Sequence, residues 1–317
     1  MLKPKYPIYI ISKGRSESRH TSKTLDELDV PYRIVIEESE YADYNRYIPD
    51  DKILTLPTDF RENPQWALPD IKGRIGGSIP VRNWVWDHSV AEGAERHWIM
   101  DDNMRYFYRL NRNKKRPVTT PTIIRNAEDF VDRYTNIGQA GLNYAFFCPS
   151  GLKRPPYYVN TRVYSCILNS NKVDLRWRGK YNEDTDLSLR YLKEGHCTML
   201  FNFALCGKAA THTMSGGNTT EVYNAHERDE HGLLKSDDNR KEFAESLQEQ
   251  HPDVCNVTKK WGRFHHHVDY SKFLQQPIMK EGLNIPKTNN EHGMRLAKLT
   301  DSEIKSYFKY KTKGVEL

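Results

Sequence analysis

The stretch His97-Trp98-Ile99-Met100-Asp101-Asp102-Asn103 joins a short apolar run directly to two adjacent carboxylates. We predict a buried strand over residues 97–100 that ends in an acidic turn. Ligands of open α/β sheets bind beyond the carboxyl ends of the strands. Asp101, Asp102 and Asn103 offer oxygen donors of the kind that Mg²⁺ and Mn²⁺ prefer. A solvated turn with no ligand is the plain alternative.

The segments around this stretch alternate between strand and helix patterns. An apolar run at 6–11 ends abruptly in Ser12-Lys13-Gly14-Arg15, and a glycine-rich turn precedes a helix that starts near Pro80. This alternation predicts an α/β domain with a largely parallel sheet. Further strands are predicted at 33–36, 53–56, 144–147, 163–168 and 198–203, and further helices at 22–28, 126–136 and 184–193. A polar segment of helical period, 236–250, follows a break near residue 215.

The composition excludes several classes of protein. The chain has 317 residues, 48 Lys+Arg against 42 Asp+Glu, a formal charge of +6, and 11% aromatic residues, which is too many for a disordered chain. No apolar run approaches the roughly 18 residues of a membrane-spanning helix, and the first residues lack a secretory signal pattern. The five cysteines contain no C-x-x-C pair. These observations favour a cytoplasmic protein without a disulfide framework or zinc ribbon.

A second acidic cluster, Glu183-Asp184-Thr185-Asp186, opens the predicted helix 184–193. Acids are favoured in a first helical turn by the helix dipole, so capping is one interpretation. The other is a general base for an acceptor hydroxyl at the mouth of the sheet. His212 follows the last predicted strand, and it is either a surface histidine or a metal ligand beside Asp102.

The order of these motifs resembles that of glycosyltransferases with the GT-A fold. The resemblance rests on SKGR at 12–15, Arg82-Asn83 after the glycines, the Asp101-Asp102-Asn103 turn, Glu183-Asp184 and His212. More narrowly, residues 6–215 resemble the TET-associated glycosyltransferases of bacteriophages. The resemblance implies a single Rossmann-like, mostly parallel central sheet flanked by helices in a domain at 1–215. A mainly helical C-terminal extension is expected at 216–317.

The resemblance also implies the roles of individual residues. The donor would be a UDP-sugar bound with Mn²⁺ or Mg²⁺, and the acceptor a hydroxymethylated pyrimidine, such as 5-hydroxymethylcytosine, in DNA. Asp184 would be the catalytic base of an inverting transfer, with Glu183 orienting the acceptor or sugar. Asp102, Asn103 and His212 would hold the metal ion. The expected nucleotide-sugar contacts are Ser12, Lys13, Gly14, Arg15, Glu37 (or Glu38), Arg82, Asn83 (or a bracing role for it) and Asp101.

Basic residues interleaved with aromatic rings support a DNA acceptor independently of the resemblance. The segment 105–116 contains six cations and no acid, and a second basic stretch surrounds Trp177. Phosphate neutralisation and base stacking use these residue types, although a solvated basic face is the simpler interpretation. The candidate DNA contacts are Arg105, Arg109, Arg112, Lys114, Lys115, Arg116, Arg176 and Arg178.

Three alternatives remain open at this stage. In the first, the enzyme transfers a sugar to a sugar already attached to DNA or to an acceptor other than DNA. Carboxylates around divalent ions also occur in nucleotidyltransferases and nucleases. A DNA-binding module with an inert transferase-like core is the non-enzymatic alternative.

Overall fold

A computed structural model of the protein describes residues 1–111, 113–152, 154–208, 240–260 and 262–283. Most of its strands belong to one mixed sheet with the order β3-β2-β1-β4-β9-β7-β10-β5-β6, and β8 pairs with β10. The strands are β1 (Ile8–Ile11), β2 (Arg33–Ile36), β3 (Ile53–Thr55), β4 (Arg96–Asp101), β5 (Met104–Asn111), β6 (Lys114–Pro117), β7 (Ile137–Tyr144), β8 (Tyr157–Val159), β9 (Cys166–Ser170) and β10 (Cys197–Lys208).

The strand directions confirm the predicted α/β class. Strands β3, β2, β1 and β4 are parallel, β7 and β10 are parallel, and β9 lies antiparallel between β4 and β7. The chain leaves β1 toward β2 on one side and returns as β4 on the other, which creates a topological switch point. Ile11 is in register with Asp101, so the SKGR loop and the acidic turn emerge beside each other.

Helices cover both faces of the sheet. They are α1 (His20–Glu27), α2 (Tyr41–Asn45), α3 (Ile79–Ala91), α4 (Thr122–Val131), α5 (Glu183–Lys193) and α6 (Arg240–Gln250). Ile8 and Ile10 of β1 pack in the cluster that includes α1 and α4, while Tyr9 packs in the cluster that includes α3 and α5. Because both faces are covered, the strands are apolar without alternation, and this explains the continuous runs in the sequence.

Several predicted elements have different bounds or types in the structure. The strand predicted at 144–147 is wrong, because β7 ends at Tyr144 and Ala145–Phe147 form a 3₁₀ turn. Strand β7 itself was not predicted, because its glycines weaken the strand pattern of the sequence. A Cβ on Gly138 would lie 2.4 Å from the Tyr191 ring, so only glycine allows the strand and α5 to pack this closely. The helix predicted at 126–136 instead begins after Pro121 and ends at Val131.

The described C-terminal residues pack against α5. Helix α6 is followed by a hairpin of β11 (Cys255–Lys260) and β12 (Arg263–Val268), and Leu247 and Val254 join Leu189 in a small core. The described part of the extension therefore combines a helix with paired strands, Cys255–Lys260 and Arg263–Val268. The predicted boundary at 215 lies outside the described residues. All five cysteines are buried free thiols.

Candidate active site

Helix α1 fixes the backbone of the acidic turn at the end of β4. The Thr21 hydroxyl donates to the Asp101 carbonyl at 2.5 Å and accepts from the Met104 amide at 2.9 Å. The Thr21 amide donates to the Asp102 carbonyl at 3.1 Å. These bonds hold the turn rigidly against the helix and determine where the two carboxylates project.

Asp102 lies under the SKGR loop. One of its oxygens accepts from Ser12 Oγ at 2.8 Å, and the other accepts from Arg15 Nη1 at 2.5 Å. The side chain is only 6% exposed. Burial raises the pKa of Asp102, although Arg15 and Ser12 favour its ionised form. The carboxylate predicted as the direct metal ligand therefore braces the loop in this structure.

The loop itself is held by α2 and the segment before it. Gly14 has a φ of 64°, which glycine adopts without strain, and its amide donates to Glu40 Oε1 at 2.5 Å. The Tyr44 hydroxyl contacts Ser12 Oγ at 2.6 Å. Glu37 forms salt bridges with Lys13 and Arg61. The predicted nucleotide-contact residues of this loop thus lie together at one edge of the sheet.

Asp101 projects to the opposite side of the turn and meets different partners. Lys208 Nζ and Ser165 Oγ both donate to its Oδ2 at 2.7 Å, and Arg82 Nη2 lies 3.5 Å from its Oδ1. Burial opposes ionisation, but Lys208 and Arg82 lower the pKa of Asp101 to about 2. Although burial disfavours its charge, the Asp101 carboxylate raises the pKa of Lys208. This ion pair is charged throughout the neutral pH range.

The acids that begin α5 lie on the same side as Asp101, with Arg82 between them. Arg82 Nη1 donates to Asp184 Oδ1 at 3.1 Å, and Nη2 lies 4.0 Å from Glu183 Oε1. The guanidinium also lies over the Trp177 ring, 5.2 Å from its centroid. The Arg82 side chain is only 5% exposed, whereas 18% of Asp184 and 25% of Glu183 reach solvent. The carboxylates therefore face an opening with Arg82 beneath them.

The charges of this cluster do not balance. Asp101, Glu183 and Asp184 carry three negative charges when ionised, against two positive charges on Arg82 and Lys208. Burial and the Asp184 charge raise the pKa of Glu183 to about 7, and burial raises the pKa of Asp184. Such shifts are typical of groups that exchange protons during catalysis.

Asn83 braces the site from beneath. Its amide nitrogen donates to the carbonyls of Trp66 and Trp177 at 2.8 Å each, and its oxygen accepts from the Trp177 amide at 2.9 Å. Asn83 is completely buried. Of the two roles predicted for it, this geometry supports bracing, because contact with a sugar would break one of these bonds.

The basic segment 105–116 forms the hairpin of β5 and β6. Arg109 pairs directly across from Arg116, and no salt bridge of the described residues includes either of them. Burial lowers the pKa of Arg109, and Lys114 and Arg116 are exposed. Arg105 lies half-buried on β5, while Arg112 lies outside the described residues. Arg109 and Arg116 therefore lie side by side with no acid of the described residues to neutralise them, and like charges in this position repel each other until an anion binds.

Arg176 and Arg178 are placed differently from the prediction. Arg176 donates to Asp87 at 2.8 and 3.1 Å, and Arg178 donates to Asp186 at 3.0 and 3.2 Å. Asp186 also contacts His251 Nε2 at 2.9 Å and is almost completely buried. Both guanidinium groups are committed to structural ion pairs, so their placement does not support the predicted DNA contact.

Sequence reasoning missed three residues of the site. Lys208, Ser165 and Tyr144 are linked to Asp101: the Tyr144 hydroxyl hydrogen bonds Ser165 Oγ, and Lys208 Nζ donates to both. The predicted last strand stopped at 203, whereas β10 continues to Lys208. Had the strand been predicted to its true end, the lysine at that end would have been recognised as a candidate site residue. His212 lies outside the described residues.

Among the described residues, no three His, Cys, Asp or Glu side chains lie close enough to hold a metal ion. One feature nevertheless suits a cation: Asn103 Oδ1 is buried, and within this part of the chain it has no hydrogen-bond partner. None of the helices that the structure describes is long and apolar enough to cross a membrane.

Comparisons with known proteins identify the family of the chain. A family model described as "TET-Associated Glycosyltransferase" matches residues 6–217. A similar solved structure is glucosyl-3-phosphoglycerate synthase from Mycobacterium tuberculosis in complex with Mn²⁺, uridine diphosphate and phosphoglyceric acid. It has a TM-score of 0.43 and 8% identity and covers 87% of each chain. A TM-score this low supports no inference about the site. No curated protein matches the sequence.

Proposed function

Because the chain belongs to the TET-associated glycosyltransferase family, and is thus a nucleotide-sugar glycosyltransferase, we propose that it glycosylates DNA. The proposed donor is a UDP-sugar, and the proposed acceptor is the hydroxymethyl group of 5-hydroxymethylcytosine or another hydroxymethylpyrimidine in bacteriophage DNA. The observation that carries the proposal is the convergence of Asp101, Glu183 and Asp184 on Arg82 at the carboxyl end of the sheet.

In the proposed reaction, the acceptor oxygen forms a bond to the anomeric carbon as the bond from that carbon to the diphosphate breaks. A single displacement of this kind inverts the anomeric centre. Asp184 takes the hydroxyl proton, since within the described residues its Oδ2 accepts a single long bond, from the Ser165 amide at 3.4 Å. Arg82 and Trp177 hold the other oxygen and so orient the carboxylate. Glu183 orients the acceptor or sugar.

The departing diphosphate gathers negative charge, and preorganised cations stabilise such charge. Arg15, Arg82 and Lys208 supply three cations around the end of β4, each already held by a carboxylate. Because these side chains are fixed before the donor binds, little reorganisation is needed when the leaving-group charge develops. We assign Lys13 and Gly14 of the same loop to the nucleotide.

The proposal includes Mn²⁺ or Mg²⁺ as cofactor. Asp102 and the Asn103 oxygen, which has no hydrogen-bond partner among the residues that the structure describes, have the donor chemistry that these ions prefer. Asp102 is engaged by Ser12 and Arg15, however, so the described residues do not form a complete site. The remaining ligands would come from the diphosphate oxygens and His212. Calorimetric titration of UDP should show tighter binding with Mn²⁺ than with chelator, and less difference in His212→Ala.

The β5–β6 hairpin supports a polyanionic acceptor. Arg109 and Arg116 lie opposite each other, and no acid in the described part of the chain pairs with either of them; like charges in this arrangement destabilise a hairpin. Phosphates of a nucleic acid would relieve this repulsion and release counterions. A neutral small acceptor would not use these cations.

The test is mass spectrometry of nucleosides from hydroxymethylated DNA incubated with a panel of nucleotide sugars and Mn²⁺. We expect one hydroxymethylpyrimidine nucleoside to gain the mass of a sugar, and no gain with Asp184→Asn. The same DNA without hydroxymethyl groups is the matched substrate control. Transfer only to a non-DNA hydroxyl would contradict the proposed acceptor.

A further inference from the structure

The 3₁₀ turn that follows β7 exposes aromatic rings to solvent. The side chains of Phe146 and Phe147 are 84% and 41% exposed. Phe147 stacks on Tyr144 with ring centroids 5.7 Å apart, and Tyr144 packs edge-on against Tyr164 at 4.5 Å. We call these four residues the aromatic ledge. Exposure of adjacent aromatic rings to water is unfavourable, and such apolar patches are typical of surfaces that bind a ligand or partner.

One end of the ledge contacts the catalytic cluster. The Tyr144 hydroxyl lies 3.4 Å from Lys208 Nζ and hydrogen bonds Ser165 Oγ. Both of those groups donate to Asp101. The ledge is therefore one side chain away from the acids to which we assign the sugar transfer.

The turn that carries the ledge also contacts the basic hairpin. Lys115 of β6 donates to the carbonyl of Ala145, the first residue of the turn, at 3.3 Å. Arg162 adds a cation over the Tyr164 ring, 5.2 Å from its centroid. Contacts between neighbouring residues thus link these cations, through the aromatic rings, to the catalytic carboxylates.

We propose that the aromatic ledge is a stacking site for the acceptor base, swung out of the DNA helix, with Phe146 and Phe147 as its main contacts. This inference rests on the proposed function and specifies how the acceptor is presented. A paired base is covered on both faces by its neighbours, and extruding it costs a few kcal/mol of stacking and pairing. Stacking on protein rings returns about 1–3 kcal/mol per base and tolerates any base.

The test uses duplex DNA with one 5-hydroxymethylcytosine beside a 2-aminopurine, whose fluorescence rises when its neighbour unstacks. We expect the unaltered protein to raise this fluorescence on binding, and the double variant Phe146→Ala/Phe147→Ala to lose the rise. The KM for DNA in transfer should increase roughly 5- to 150-fold in that variant, the range that corresponds to one lost stacking contact. The KM for the nucleotide sugar should not change.

Two controls separate the outcomes. Phe146→Trp/Phe147→Trp keeps flat rings and should retain the fluorescence rise. Leu274→Ala removes a side chain of similar exposure, 79%, outside the ledge and should leave the KM for DNA unchanged. A double alanine variant with normal fluorescence and normal KM would overturn the stacking site while leaving DNA transfer intact. Absence of DNA transfer by the unaltered protein would refute the proposed function, and the ledge with it.

Discussion

Exchange of Arg82 for glutamine removes the cation that lies closest to the proposed catalytic base. The guanidinium is 3.1 Å from Asp184 Oδ1, which corresponds to about 5 kcal/mol of attraction at an effective dielectric constant of about 20. Water that enters the site in the variant offsets about half of this loss. The remaining loss of roughly 2.5 kcal/mol would raise the pKa of Asp184, since about 1.4 kcal/mol corresponds to one pH unit.

The sign of the effect follows from the charges. Arg82 favours the ionised form of Asp184, so its removal favours the protonated form, which cannot accept a proton from the acceptor. The acidic limb of the pH dependence of kcat/KM should therefore move to higher pH by one to two units, roughly. The assay is sugar transfer measured from about pH 5 to about pH 10 at saturating nucleotide sugar.

Two variants serve as controls. Arg82→Lys keeps a positive charge and should show a smaller displacement of the limb. Arg176→Gln removes another guanidinium that lies over a tryptophan, 5.0 Å from the Trp86 ring, and that pairs with Asp87 instead. The Arg176→Gln variant should not shift the acidic limb of the pH dependence of kcat/KM. An Arg82→Gln protein that folds normally and has the parental pH dependence would refute the electrostatic role of Arg82.

Four further predictions concern the acids of α5, the basic hairpin and Asn83. Asp184→Asn should retain UDP binding by calorimetry and lose roughly 10²- to 10⁴-fold in transfer rate, and full activity would refute the base assignment. Transfer by the parent should fall as the pH falls through about 7, because burial and Asp184 raise the pKa of Glu183 to about 7; a flat rate across this region would contradict proton uptake by the coupled pair. Arg109→Gln/Arg116→Gln should weaken DNA binding and reduce the slope of log affinity against log salt by about one per lost phosphate contact, measured by fluorescence anisotropy. Asn83→Ala should lower the free energy of unfolding by roughly 2–4 kcal/mol in a denaturant titration, because it leaves buried backbone groups without hydrogen-bond partners. Unchanged stability together with weaker donor binding would favour direct contact between Asn83 and the sugar instead.

Several elements of the fold were predictable because their signals are local. The apolar runs that became β1 and β4 end in polar turns, and Pro80 begins α3 as expected. The strand directions confirm the predicted α/β class, and the family match confirms the TET-associated glycosyltransferase family implied by the ordered motifs. Strand β7 escaped prediction because Gly138 and Gly141 lower the apparent strand preference, although close packing against α5 and β9 requires them. At these two positions tertiary packing requires glycine, although glycine has a low intrinsic preference for strands.

The sequence alone determined which chemical groups stand at the ends of strands and helices, because strand ends and helix starts are local features of the chain. It thereby identified Asp101, Asp102, Glu183 and Asp184. Only the tertiary structure decided how these acids are grouped. Successive residues at the end of β4 project to opposite sides, so Asp101 joins the α5 acids while Asp102 turns to Arg15. The place of Lys208 beside Asp101 depends on pairing between strands distant in sequence, which no local pattern encodes.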